Sequence, residues 1–133
     1  MAFFGSISDR LGIRELIETY NDAVNQRDTD SWAATWIQAG VWNLMVQKFE
    51  GRNKLTQVWV SAMETYSHVF FTAYPSSIEI QGDEATARVY VKETLIHRDG
   101  QTTSVEGVYQ DKLVRLDTGW HFAERVYNIL HQT

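Results

Sequence analysis

The chain has 133 residues, 44% of them hydrophobic, with one proline, no cysteine and a formal net charge of -5. That length and apolar content suffice for a single domain over residues 1–133 with a sizeable core, and the missing cysteine excludes disulfides, thiolate metal sites and cysteine nucleophiles. The acidic balance and the lack of a basic run argue against a nucleic-acid partner, whose phosphates demand clustered Lys and Arg. The opening MAFFGSISDR has no basic n-region and no long apolar stretch, so the expectation is a cytoplasmic protein with no signal peptide and no membrane span.

Helices come first. Ser8 or Asp9 can cap a helix in which Leu11, Ile13, Leu16, Ile17, Tyr20, Ala23 and Val24 recur at helical spacing, turning Tyr20 inward. Asp28 to Ile37 has the pattern of a second, short helix, with Asp28 or Asp30 as cap, Trp32 and Trp36 stacked four apart, and Gly40 as the break. Val41 to Val46 is predicted as a strand, Gly51 as a turn, and Lys54 to Tyr66 as a third helix with Leu55, Val58, Trp59, Ala62, Met63 and Tyr66 on one side. Pro75 fits a bend or bulge better than a central ladder position.

From Ser77 the period changes to two. Ile78 to Ile80, Ala85 to Ile96, Val105 to Leu116 and Trp120 to Leu130 are strands, joined by the turn signals Gln81-Gly82-Asp83, Asp99-Gly100 and Asp117-Thr118-Gly119. Three helices followed by consecutive hairpins predict an α+β domain, a curved antiparallel sheet wrapped around a long helix with two further helices, leaving a cavity between the layers.

The segments Asp9-Arg10, Ile13, Leu16, Tyr20, Asp28, Trp32, Val41-Trp42, Gly51-Arg52, His68, Gly82-Asp83, Gly107-x-Tyr109-x-Asp111 and Gly119-Trp120-x-Phe122 to Arg125 span nearly the whole chain. Together they resemble the SnoaL-like branch of the nuclear transport factor 2-like superfamily, the branch of scytalone dehydratase, bile-acid 7-alpha-dehydratase and hexachlorocyclohexane dehydrochlorinase. The resemblance implies a cystatin-like cone and a cofactor-free lyase or isomerase, of dehydratase or polyketide-cyclase type, acting on a small hydrophobic, cyclic molecule. It also admits a noncatalytic ligand-binding or assembly module, because fold alone does not set function.

Carried over residue by residue, the resemblance implies that Asp28 orients His68, that His68 abstracts a substrate proton, and that Arg125 holds a developing anion. A neutral imidazole suits the first transfer and a permanently charged guanidinium the second. Each residue has a structural alternative: Asp28 as a helix cap, His68 as a surface histidine at a junction, and Arg125 as a cross-strand partner of Asp111. His97, His121 and His131 lie beside turns or at the tail, and no His-x-x-x-His or carboxylate cluster predicts a metal site.

By the same resemblance, Val89, Val91, Glu93 and Leu95 line one inner strand face and Val105, Gly107 and Tyr109 another, with Trp42, Trp59, Met63, Tyr66 and Asn128 completing the wall. A carboxyl at Glu93 in an apolar cavity has a raised pKa and can act as an acid or bind a hydroxyl; turned outward, it would pair with Arg88 or Lys92. Relatives carry lysine or tyrosine five residues before the aspartate, where this chain has Ala23, so one polar partner is missing. The outer face, with Thr86, Arg88, Tyr90, Lys92 and Thr94, is suited to pack against another copy, giving a dimer or trimer.

Overall fold

Ser6, two positions before the expected cap, starts the first helix by accepting the backbone N–H of Asp9 at 3.0 Å. In this computed structural model, which describes residues 2–133, α1 runs Ile7–Gln26 and ends where Arg27 takes a left-handed conformation at φ 54°. Its buried stripe is Ile13, Ile17, Tyr20, Ala23 and Val24, whereas Leu11, expected to face the core, is exposed.

Asp28 then caps α2 (Thr29–Ala34), which is shorter than predicted. Trp36 belongs instead to strand β2 (Trp36–Asn43), and Gly40, expected to end the helix, lies within that strand. The tertiary reason is close packing: a Cβ on Gly40 would stand 2.9 Å from the Trp36 ring and 3.1 Å from the Ile37 carbonyl oxygen. A short β3 (Lys48–Glu50) leads to α3 (Arg52–Glu64), which buries Leu55, Trp59 and Met63.

Four long strands follow: β4 (Tyr66–Gln81), β5 (Glu84–His97), β6 (Thr102–Leu116) and β7 (Gly119–Gln132). They pair antiparallel in chain order, and β2 adds to the far edge parallel to β7, a pairing that hairpin signals could not foretell. With β1 (Phe3–Phe4) on the near edge beside β4, the sheet order is β1-β4-β5-β6-β7-β2-β3. Pro75 sits where the β4–β5 register shifts, in keeping with its missing N–H. The result is the α+β cystatin-like cone, a curved sheet around α1 with α2 and α3 beside it.

The floor of the cone is aromatic. Trp32 stacks on Trp59 at 4.8 Å between centroids and 7° between planes, and Trp36, Trp42 and Tyr20 lie 5.8, 5.5 and 5.7 Å from Trp32. Trp32 and Trp36 are completely buried. Truncating either ring to alanine in so dense a cluster costs about 3–5 kcal/mol by the usual cavity relation.

Candidate functional site

Strand parity decides which side chains meet in the cone. On β5 the alternation puts Val89, Val91, Glu93 and Leu95 inside; their β6 neighbours Val105, Gly107 and Tyr109 pair directly with Glu93, Val91 and Val89. Asp111 and Arg125 face each other across β6 and β7. The Arg125 guanidinium donates from Nε to Asp111 Oδ1 at 2.8 Å and from Nη2 to Oδ2 at 3.0 Å, with both side chains essentially without solvent exposure. Its carbon centre lies 3.8 Å from the Tyr109 ring centroid, 4.1 Å from Phe122 and 4.5 Å from Tyr20. Burial pushes the Asp111 carboxyl up and Arg125 opposes it; since both oxygens accept from a guanidinium, the pair is an ion pair. Among the described residues, Arg125 Nη1 is buried without a partner.

A second pair is less deeply buried. The Tyr127 hydroxyl reaches from β7 across β6 and donates to Glu93 Oε2 on β5 at 3.1 Å. It can do so because Gly107 lies beneath it; a side chain at that position would collide with the phenol. The rings of Tyr127 and Tyr109 are 4.6 Å apart, and the Tyr109 hydroxyl accepts from Trp42 Nε1 at 3.1 Å. Glu93 and Tyr127 are half-buried. Burial raises the Glu93 carboxyl above the usual glutamate range, and the Tyr127 bond works against that rise. Burial raises all three phenols, Tyr20, Tyr109 and Tyr127, beyond the ordinary tyrosine value.

Asp28 and His68 are not brought together. Asp28 Oδ1 accepts from the Ser31 backbone N–H at 3.1 Å and Oδ2 from the Ser31 hydroxyl at 2.7 Å, the capping alternative. Those bonds, the hydroxyl's foremost, hold its carboxyl below the usual aspartate range. His68 is exposed, pairs with Ile96 and shares the outer face of β4 with Phe70, whereas Val69 and Phe71 turn inward. The residue that meets the end of α1 is Phe71: its ring lies 5.8 Å from Tyr20, and its backbone N–H and C=O are both taken by the Asn25 side-chain amide, at 2.7 and 2.8 Å. A kink in register between Tyr66 and His68 sets this phase, which helix counting could not supply.

Among the other expected wall residues, Tyr20 and Ala23 are buried on α1, Trp42 on β2, Trp59 and Met63 on α3, Val91, Val105 and Tyr109 in the sheet, and Tyr66 is half-buried at the start of β4. Asn128 is misplaced. It pairs with Val108 on the face opposite Tyr109 and Tyr127. Successive residues of a strand alternate, so an inward Arg125 already requires an inward Tyr127 and an outward Asn128; the same parity from Tyr109 would have found Asp111. Among the described residues no group of three or more His, Asp or Glu is placed to hold a metal, and no helix is long and apolar enough to cross a membrane.

Residues 5–126 match the model of the SnoaL-like domain. The chain belongs to the SnoaL-like family. An uncharacterised protein of Mycobacterium tuberculosis is 28% identical over 133 residues, with 95% of this SnoaL-like chain and 88% of the relative covered. The LinA-type3 hexachlorocyclohexane dehydrochlorinase of Novosphingobium barchaimii superposes with a TM-score of 0.86 at 15% identity, over 96% of this chain and 90% of the other. A Nostoc punctiforme protein of unknown function with a cystatin-like fold gives 0.81 at 18% identity, over 95% and 94%. At these identities the two structures establish the fold.

Proposed function

We propose that this SnoaL-like protein is a cofactor-free lyase or isomerase, of the dehydratase and cyclase type, that takes a small hydrophobic, cyclic molecule against the partly exposed Glu93 and Tyr127. One observation carries the reading: a carboxyl and a phenol, Glu93 and Tyr127, are hydrogen-bonded at 3.1 Å on a wall otherwise made of Val91, Val105, Leu95 and aromatic rings. A polar pair set in an apolar wall is the composition of a small-molecule site. Solvent-shielded acid–base groups there can move a proton without metal or cofactor. Asp28, bonded to Ser31, and His68, on the opposite sheet face, are not assigned the proton transfer.

The test uses 2-indanone, a small cyclic ketone, as probe. Tryptophan fluorescence should show saturable binding, weakened at least tenfold by Leu95→Arg with circular dichroism unchanged, and NMR in D2O should show deuterium entering the carbons beside the carbonyl faster than in buffer. Absence of exchange overturns the reading. Saturable binding without exchange would favour a ligand-binding module, a reading supported by Ala23 in place of a polar group and by the Trp32–Trp59 stack that fills the floor. A homo-oligomer through the outer sheet face is part of the proposal, because Phe70, Tyr74 and Leu130 are more than half exposed. Light scattering at micromolar concentration should give a multiple of the chain mass, and a concentration-independent monomer removes this element.

A further inference from the structure

We propose that Glu93 is the proton-transferring residue of this site, that Tyr127 is its positioning residue, and that the substrate class is an enolisable carbonyl compound. The proposal rests on the functional reading above and adds to it the identity of the base. Three strands cooperate to build the pair: β5 supplies Glu93, β6 supplies the clearance at Gly107, and β7 supplies Tyr127. Any side chain at position 107 would push the phenol off, so the bond depends on a glycine in the middle of a long strand. Glycine there weakens the strand itself, and it is retained where another group must approach closely.

The bond occupies Oε2 and leaves Oε1 for a ligand. In the step, the C–H bond beside the substrate carbonyl breaks and its proton passes to Glu93 Oε1. The C–H electron pair becomes the double bond of an enolate, and the charge moves to the carbonyl oxygen. The neutral acid then returns a proton to the same carbon or to a conjugated one. Atoms and charge balance with no co-reactant.

The surroundings single out Glu93 as the carboxyl with an oxygen free to take a proton. Facing the same interior are Tyr20 from α1, Tyr109 and Asp111 from β6, and Arg125 and Tyr127 from β7, while β4 offers Val69 and Phe71 and α3 offers Trp59 and Met63. The three tyrosines, which ordinarily titrate well above neutral, are pushed further up by burial, and Asp111 is bound to Arg125. His97, at the rim, is edge-on to Tyr66 and bonded to Thr103 Oγ1 at 3.0 Å; it is the competing base to exclude.

The experiment measures deuterium exchange into 2-indanone as a function of pH. The wild-type rate should rise with pH as Glu93 ionises, with a midpoint above the ordinary glutamate range. Glu93→Gln should lower the rate about 100-fold or more, the lower end of what a lost general base costs, while binding of the ketone persists. Tyr127→Phe and Gly107→Ala should retain exchange and move the midpoint to higher pH, because the Tyr127 bond lowers Glu93. His68→Ala and His97→Ala should leave the profile in place. Exchange that survives in Glu93→Gln, or that is lost in either histidine variant, overturns the assignment of Glu93 while leaving an acid–base enzyme standing. Absence of wild-type exchange overturns both.

Discussion

Two carboxyl groups on neighbouring strands, Asp111 on β6 and Glu93 on β5, have opposite fates in this cone. Asp111 is sealed: both its oxygens are taken by Arg125, three aromatic rings surround the guanidinium, and neither side chain reaches solvent. Glu93 is half open: one oxygen accepts a phenol, no cation among the described residues sits on it, and burial raises it. A buried carboxylate with both oxygens bonded to a guanidinium is fixed in one state, while a carboxyl held by one neutral donor can change its protonation at modest cost. The first arrangement is structural, and the second is suited to chemistry.

The largest effect should come from breaking the sealed pair. Asp111→Asn leaves the Arg125 charge buried without its counterion and should destabilise the fold by about 3–5 kcal/mol, checked by urea denaturation. A loss below about 1 kcal/mol would mean that the pair is not desolvated as described. The double change Asp111→Leu with Arg125→Met should recover much of that loss, since it removes both charges together.

The open pair should behave in the opposite sense. The folded-state pKa of Glu93 is raised, so its contribution to stability is fully present below the unfolded glutamate value and is lost as pH rises through the folded one. Glu93→Gln cannot ionise and should lose less melting temperature than wild type between pH 5 and pH 8. Identical pH dependence in the two proteins would show that Glu93 is not shielded from water.

Smaller effects belong to the residues outside both pairs. Asp28→Ala removes the cap of α2 and should lower the melting temperature by about 3 °C; because its folded carboxyl is lowered, that contribution is present at neutral pH and fades as pH falls through the folded value. His68→Ala, on the exposed face of β4, should change stability by no more than about 0.5 kcal/mol. A large loss at His68 would point to a partner covering that face.

The sequence by itself determined the α+β class, the inward stripe of α1, the three hairpin turns and the alternation of β5, because each depends on residues near one another in the chain. Val89, Val91 and Glu93 share a face for the same reason. Tertiary structure decided the rest. The parallel pairing of β2 with β7 joins segments some 85 residues apart in the chain, as in the Trp36 and Phe122 pair, and no local signal encodes it. The register shift at Tyr66/His68 turned His68 outward and left Phe71 facing Tyr20. Asp28 had two chemically sound roles, and the outward turn of His68 left only the local one, the cap bonded to Ser31 three residues on. Whether a carboxyl becomes a sealed ion pair like Asp111 or an open acid like Glu93 depends on its neighbours in space, and those are fixed only when the strands pair.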